Sequence, residues 1–322
     1  MPSVLEDAGK EGQLVIYAAL PGVLHSLISS FREKYKKQNF HITCLSGHPV
    51  PIGEKIRVEI RAGIPSADVM VLPQYSLMQL EMDGFLKKYN SPELSMYPSS
   101  YYEHGGAGFA LEPTGLMYST ALVRENELPK TLDDLVDKKW RGRVAMQSLT
   151  RKVEGLLGIF FLASLRRRTS EKNWNLFLKK LATNVEPKTY DCLHHMKDAT
   201  KNGEHAICFP GALRTESLKE AGGIEPFFLH DVPLTAILRS VAIVKNSPHS
   251  NVAKLFVDFV LSRAWQGKLG ETREGMVPAR SGIQASYWVS SPISEGIMIF
   301  PNIEEVRLVD KFVAAYSKAG LD

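Results

Sequence analysis

The sequence has few cysteines and no long hydrophobic run. Cys44, Cys192 and Cys208 are widely spaced in a chain of 322 residues, so at most one disulfide can form, which argues against a disulfide-rich scaffold. No apolar stretch approaches the roughly 18 residues of a membrane-spanning helix. The polar start, MPSVLEDAGKEG, has no apolar core of the kind found in signal peptides. Either the protein is cytosolic or a leader has been removed, and the sequence leaves both readings open.

An excess of charge of one sign is also missing. The 39 Lys and Arg residues against 35 Asp and Glu give a net charge of +4. The densest basic cluster, Arg166-Arg167-Arg168, is too short for a nucleic-acid-binding run and is interpreted as a solvated corner. We therefore expect no nucleic-acid partner.

The motifs of the common enzyme classes are absent as well. The sequence contains no Gly-x-Ser-x-Gly, no P-loop, no dinucleotide fingerprint and no His-Glu-x-x-His. Cys192 and His194-His195 are metal-ligand types, but adjacent histidines rarely converge on one ion and no second Cys/His pair follows nearby. We predict that the protein is not an enzyme and that it holds neither a metal nor a cofactor.

What is present is a regular alternation of strands and helices. Apolar strand-like runs at residues 14–17, 41–45 and 67–72 are separated by helical spacing at residues 24–35 and 55–62. This β-α-β-α-β order predicts a mostly parallel sheet with helices on both faces. In such sheets, ligands bind beyond the carboxyl ends of the strands, where helix N-termini point.

Two long extended runs, one beginning near Gly105 and one at residues 234–246, divide the chain. A length of 322 residues exceeds what a single core usually holds. We therefore predict two lobes joined by two crossings, with a ligand cleft between them. The predicted boundaries are residues 1–110 with 238–285 for lobe 1, 111–237 for the inserted lobe 2, and 286–322 for a C-terminal helical segment that packs across the lobes.

Several segments together resemble a known family. The segment LPKTLDDLVDKKWRGRVAM (128–146) is similar to type 2 periplasmic solute-binding proteins of ABC importers, in their ferric-iron-binding-like branch. EGQLVIYAAL, AGIPSADVMVL, PTGLMYSTALV and NSPHSNVAKLFVDFVLS resemble further segments of that family in the same order. The resemblance implies a two-lobed α/β fold, with helix-flanked and mostly parallel sheets, that delivers a small solute to a membrane permease.

The chain departs from the ferric members of that family at their iron ligands. Those members place a histidine after the first strand, an acidic residue after the third, and adjacent tyrosines after a later strand. By rough alignment these positions fall near Pro21, near Pro73 and on Gly211-Ala212. Because Fe³⁺ requires anionic oxygen ligands such as phenolate and carboxylate, these residues cannot bind it. Ferric binding is therefore the less favoured interpretation.

The loop QSLTRKVEG, after the strand at 144–146, carries the ingredients of an anion site. In the family this loop opens a helix and often holds an anion. Hydroxyls, cations and a helix N-terminus occur together in it. The predicted ligand residues here are Gln147, Ser148, Thr150 and Arg151. The alternative is that the cations point outward into water.

A second candidate follows the strand at 206–209. Pro210-Gly211-Ala212 is interpreted as a bare turn, where Gly211 and Ala212 leave room for a ligand close to the backbone. Arg214 would add a planar guanidinium for a carboxylate or phosphate. An ordinary strand-to-helix turn, with Arg214 in solvent, is the open alternative.

In the first lobe, the candidate ligand residues lie in the turns just past the strand ends. These turns offer backbone donors and small or polar side chains. The predicted residues are Pro21, Gly22, Ser46, Gly47, His48, Tyr75 and Ser76.

The function predicted from these observations is that of a monomeric periplasmic or cell-surface solute-binding protein. It would capture a small anionic solute, such as an organic phosphate, phosphonate, sulfonate or carboxylate, by hinge closure. The closed form would then dock on the ABC permease. The alternative is a cytosolic ligand sensor built on the same fold.

Overall fold

The computed structural model describes residues 4–20, 22–149, 156–167, 169–212, 222–232, 234–272, 276–283 and 297–321. Within these ranges the chain forms twelve strands. They are β1 (Gln13–Ala18), β2 (His41–Ser46), β3 (Val69–Pro73), β4 (Leu86–Lys87), β5 (Ala107–Ser119), β6 (Val144–Gln147), β7 (Lys188–Tyr190), β8 (Ile207–Ala212), β9 (Ile224–Phe227), β10 (Leu234–Val244), β11 (Val277–Pro278) and β12 (Ile297–Phe300).

The same ranges contain twelve α-helices. They are α1 (Val4–Glu11), α2 (Val23–Lys34), α3 (Pro49–Arg61), α4 (Gln74–Met82), α5 (Leu132–Leu135), α6 (Leu156–Arg166), α7 (Glu171–Lys180), α8 (Leu193–Lys201), α9 (Ser250–Leu261), α10 (Arg263–Glu271), α11 (Ile303–Arg307) and α12 (Val309–Ala319). None of these helices combines the length and the hydrophobicity of a membrane span.

The chain divides into two compact units. Unit 1 consists of Met1–Leu111 and Leu238–Ser286, and unit 2 consists of Glu112–Ile237 and Tyr287–Asp322. Two strands, β5 and β10, run through the boundaries, and every residue in both is buried. The two extended runs predicted from the sequence are therefore confirmed as strands, and the predicted α/β class is confirmed with them.

The sheet of unit 1 has the order β2-β1-β3-β10. Strands β1, β2 and β3 are mutually parallel, whereas β10 is antiparallel to β3, with Arg239 opposite Pro73 and Ile243 opposite Val69. A β-α-β-α-β connection forces this arrangement, because parallel neighbours need a crossover helix between them. The carboxyl ends of β1, β2 and β3 consequently lie along one edge of the sheet.

Both faces of this sheet are covered by helices. One face buries Tyr17 and Met70 against apolar residues of α3 and α4, including Ile56 and Leu77. On α2, Phe31 makes edge-on contacts with Phe256 and Phe259 of α9, with ring centroids 5.2 and 5.4 Å apart. The apolar residues along α9 recur at helical spacing and form a buried stripe.

The sheet of unit 2 has the order β7-β6-β8-β5. Strand β6 is parallel to both β7 and β8, and β5 is antiparallel to β8. Strand β9 pairs with the second half of β5, and the first residues of β10 pair in parallel with β12. The carboxyl ends of β6, β7 and β8 again share one edge.

Helix α6 is the centre of unit 2, because every residue from Leu156 to Leu165 is buried. A helix that is apolar all round requires neighbours on all sides. The C-terminal helices supply two of them: Tyr316 of α12 donates to the Ile159 carbonyl at 3.2 Å, and Arg167 pairs with Glu305 of α11. Gly320 ends α12 with φ +82°, a left-handed conformation typical of a helix C-terminus. The described C-terminal helices thus pack within unit 2, where their buried aromatic and apolar face meets α6.

Candidate functional site

Three of the turns predicted to bind ligand lie along the carboxyl edge of the unit 1 sheet. Two backbone hydrogen bonds join the strand ends: Gly47 N donates to Ala18 O at 3.0 Å, and Ala19 N donates to Val71 O at 2.9 Å. The residues that follow β1, β2 and β3 are therefore neighbours. We call this region, residues 19, 20, 22, 46–48, 73–76 and Arg239, the unit 1 edge.

Helices α2, α3 and α4 all begin at the unit 1 edge. Their N-cap residues are Gly22, His48 and Pro73, none of which makes a side-chain cap hydrogen bond, and no first turn contains an acidic residue. Gly22 has φ +80°, a conformation that favours glycine. Because the first N–H groups of a helix lack intrahelical partners and carry the positive end of the dipole, the starts of α2 and α4 favour an anion. Helix α3 begins Pro49-Val50-Pro51, so Val50 offers the one N–H of its first three residues.

Four other helices of the described chain begin differently. In α5, α7, α10 and α11 an N-cap side chain accepts a backbone hydrogen bond; the capping residues are Thr131, Ser170, Ser262 and Asn302. Helices α8, α9 and α12 resemble those of the unit 1 edge in having no side-chain cap hydrogen bond. What distinguishes the unit 1 edge is that three such helix starts lie along one edge of the same sheet.

The three turns differ in their access to solvent. Ser46, Gly47 and His48 are exposed, whereas Tyr75 and Ser76 are buried at the start of α4. Beside them, the carboxamide of Gln74 donates to the Tyr101 and His104 carbonyls at 3.2 and 2.9 Å. The start of α4 is thus packed against the chain at residues 101–104, and the turn at 46–48 is the more accessible one.

A charged residue that sequence reasoning missed lies at the same edge. Arg239 is only 8% exposed, although it sits on β10 in a run of otherwise apolar and small residues. Its guanidinium Nη1 donates to the Ala19 carbonyl at 2.9 Å. The signal in the sequence was the single arginine within the apolar run at 234–244, because a charge is rarely placed in a buried strand without a partner or a function.

In unit 2, the predicted residues Gln147 and Ser148 lie at the carboxyl end of β6. Ser148 N donates to the Tyr190 carbonyl at the end of β7, at 2.8 Å. The buried carboxamide of Gln147 accepts a hydrogen bond from Gly158 N of α6 at 2.6 Å. Gln147 therefore ties the end of β6 to the start of α6.

The predicted bare turn at Gly211-Ala212 is wrong, because both residues belong to β8. They pair with Gly115 and Thr114 of β5, which extends the strand beyond Phe209. A Cβ on Gly211 would lie 2.9 Å from Met117 Sδ and closer still to its methyl group. The room left by the glycine is thus filled by a side chain of the protein itself.

Burial favours the neutral form of three titratable groups on or beside these strands. Burial raises the pKa of the Cys208 thiol to about 12 and lowers the pKa of His205. The Tyr190 hydroxyl lies 2.9 Å from His205 Nε2, and burial raises the pKa of Tyr190 as well. Among the described residues, no group of three or more His, Cys, Asp and Glu side chains could hold a metal ion.

Four of the predicted site residues lie outside the described residues. They are Pro21, Thr150, Arg151 and Arg214.

The chain matches the bacterial extracellular solute-binding proteins over residues 65–286, well over half of its 322 residues. It belongs to that family. As a bacterial extracellular solute-binding protein it is not an enzyme; it binds a small molecule and works with an ABC permease. The family is periplasmic or cell-surface, so a cytosolic sensor is not supported.

Solved structures of low sequence identity share the fold. Iron-bound HitA from Pseudomonas aeruginosa matches with a TM-score of 0.76 and 21% identity, covering 96% of this chain and 99% of that one. AfuA from Actinobacillus pleuropneumoniae, with exogenous fructose-6-phosphate bound, matches with a TM-score of 0.74 and 20% identity, covering 95% and 99%. An uncharacterized protein of Haemophilus influenzae is 26% identical over 281 residues, which cover 82% of this chain and 77% of that protein.

Proposed function

We propose that the protein captures a small anionic solute for an ABC importer. The solute classes that fit are organic phosphates, phosphonates, sulfonates and carboxylates. The observation that carries this proposal is the unit 1 edge, where α2, α3 and α4 begin without a side-chain cap and without an acid in the first turn. Helix starts of this kind attract anions through their N–H groups and their dipoles.

Within this proposal, the ligand residues of unit 1 are Gly22, Ser46, Gly47 and His48, with Tyr75 and Ser76 buried behind them. Ser148, directly after β6, is the corresponding candidate in unit 2. The fructose-6-phosphate bound to AfuA supports a phosphate-bearing solute, since the folds correspond.

Ferric iron is the second candidate solute, because HitA, a protein of the same fold, is iron-bound. The described residues of this chain offer no cluster of three His, Cys, Asp or Glu side chains. Fe³⁺ prefers several anionic oxygen ligands at one point, which favours the organic anion over the metal.

The proposal includes a hinge. Strands β5 and β10 connect the two units, so a change in the backbone of a few residues near Leu111 and Leu238 would move one unit against the other. We expect that saturating ligand reduces the radius of gyration measured by small-angle scattering. An unchanged radius with a tightly bound ligand would contradict this step.

Native mass spectrometry of the purified protein tests the solute class directly. The bound species is detected as added mass, then released by denaturation and identified. We expect a phosphate ester, phosphonate, sulfonate or carboxylate, and rebinding of the same compound in titration calorimetry. Release of iron or of a neutral solute would overturn the anion proposal. The matched control is protein that has been unfolded, dialysed and refolded, which should carry no added mass.

A further inference from the structure

Arg239 is unusual among the basic residues of this chain. The described Lys and Arg side chains are otherwise exposed or half-buried, and Arg239 alone among them is fully buried, at 8% exposure. It is flanked on β10 by Leu238 and Val241, which are buried apolar residues. A long charged side chain in the middle of a sheet strand therefore needs an explanation.

Stability does not supply that explanation. Burying a guanidinium costs free energy, and the cost is recovered only through hydrogen bonds or a paired charge. Even where a buried charge is well paired, replacing the pair with packed apolar residues is often neutral or stabilising. Leu238 and Val241 show that buried aliphatic side chains are accommodated on the same strand.

The position of Arg239 points to recognition instead. It lies opposite Pro73, the last residue of β3, and so at the carboxyl edge of the unit 1 sheet. Its Nη1 donates to the Ala19 carbonyl, which directs the guanidinium toward the turn between β1 and α2. That turn ends at Gly22, where α2 begins without a side-chain cap. The guanidinium is thus held at the end of β1, on the same edge of the sheet at which α2 begins.

We infer that Arg239 recognises the oxyanion group of the solute and sets the preference for its charge. This inference rests on the proposed function. It deepens that function by naming a residue, Arg239, and the chemical group that Arg239 recognises. The planar guanidinium presents five N–H donors in a fork that matches the oxygens of a phosphoryl, sulfonyl or carboxyl group. A lysine would keep the charge but lose the fork.

The test compares four minimal head groups by titration calorimetry: inorganic phosphate, methylphosphonate, methanesulfonate and acetate. Methylphosphonate and methanesulfonate have nearly the same shape but differ in charge, so their ratio of affinities measures charge recognition. The variants are R239Q and R239K. The matched control is R32Q, since Arg32 also belongs to unit 1 and donates to a backbone carbonyl, that of Ile42 at 3.3 Å, from the last turn of α2.

We expect wild type and R32Q to bind methylphosphonate equally well and to prefer it over methanesulfonate. R239Q should bind methylphosphonate roughly 30-fold more weakly, the value of a charge-assisted hydrogen bond, and should lose the preference. R239K should bind roughly 10-fold more weakly and keep the preference. A purely structural role would weaken the binding of all four probes equally and leave the preference unchanged.

The outcomes separate the inference from the proposed function. If wild type binds one or more probes and R239Q binds them with the same affinity and preference, the inference on Arg239 is overturned and the anionic solute class stands. If wild type binds none of the four, the proposed solute class fails and the inference fails with it. If R239Q does not fold, the affinity of R239K for the probes is the deciding measurement. If R239K binds them as tightly as wild type, the role of the guanidinium fork is overturned.

Discussion

The two edges of the unit 1 sheet are built in opposite ways. At the amino edge, the fully buried Asp68 accepts hydrogen bonds from Val15 N (2.7 Å), Ser247 Oγ (2.8 Å), and His249 N and Nδ1 (2.8 and 3.0 Å). At the carboxyl edge, three helices begin without side-chain caps beside Arg239. The amino edge is held together by a buried carboxylate of the protein, whereas the N-cap side chains at the carboxyl edge do not cap the helices that begin there.

The start of helix α9 also differs from the starts of the helices at the carboxyl edge. It begins at the amino edge, and Glu11 accepts hydrogen bonds from Asn251 N and Val252 N at 2.9 Å and from Asn251 Nδ2 at 2.9 Å. A carboxylate of the protein thus occupies the place that an anion would take at the starts of α2, α3 and α4. The amino edge thus stabilises the fold, and under the proposed function the helix starts at the carboxyl edge bind the ligand.

The largest expected effect on stability is that of D68A, which removes the buried carboxylate of the amino edge. It leaves buried donors of β1 and of the turn before α9 without their acceptor, which costs about 3 kcal/mol of the free energy of unfolding. Urea denaturation with hydrogen exchange of unit 1 peptides measures the loss. D7A, at an exposed Lys10 ion pair, is the control and should change stability by less than about 0.5 kcal/mol. Equal midpoints for D68A and wild type would contradict the structural role of Asp68.

The next effect concerns the carboxylate cap on α9. E11A removes the acceptor for the first N–H groups of that helix and should cost about 1.5 kcal/mol. The midpoint of urea denaturation measures it, and solute affinity should stay unchanged because the amino edge takes no part in binding. A loss of affinity with intact stability would reverse the assignment of the two edges.

A smaller effect tests the carboxyl edge of unit 2. G211A forces Met117 to move and should cost about 1 kcal/mol. In the background of M117A the same change should cost almost nothing, since the two side chains would no longer compete for space. The double-mutant cycle from thermal denaturation gives the coupling. Equal costs in both backgrounds would mean that Gly211 is needed for its backbone and not for packing.

The smallest expected effect on stability comes from substitutions that add a side-chain cap at the carboxyl edge of unit 1. His48 has extended N-cap geometry, with φ −71° and ψ 147°. H48N and H48D should therefore each cap α3 by accepting from Val50 N, since Pro49 and Pro51 have no N–H, and raise the free energy of unfolding by about 0.5 kcal/mol. Only H48D adds a negative charge, so methylphosphonate should bind roughly 5-fold more weakly to H48D than to H48N. Equal affinities would place the anion away from α3.

Much of the fold followed from local patterns. The alternation of strands and helices before residue 73 and the two buried extended runs are visible as periodicity, because burial of one face repeats with the period of the element. The turn at Gly211 was predicted wrongly because the pairing that extends β8 comes from β5, about a hundred residues earlier. No local signal reports such a pairing.

The candidate site was harder to predict from the sequence than the fold. Gly22, Ser46, Gly47 and His48 were predicted because they follow strands, and the parallel register brings them to one edge. Arg239 was missed, since its place at that edge depends on the antiparallel pairing of β10 with β3. The partners of Asp68 lie 53, 179 and 181 residues away along the chain, so its role is a property of the tertiary structure alone.

The late position of β10 in the chain has a consequence for biosynthesis. Strand β3 pairs with residues 239–243, so its outer edge stays open while residues 74–238 are being made. The step that finally covers this edge also delivers Arg239 to the ends of the strands. An unfinished or truncated chain therefore lacks both a closed unit 1 sheet and the cation at its carboxyl edge, and we expect it to be aggregation-prone and unable to hold an anion at the same time.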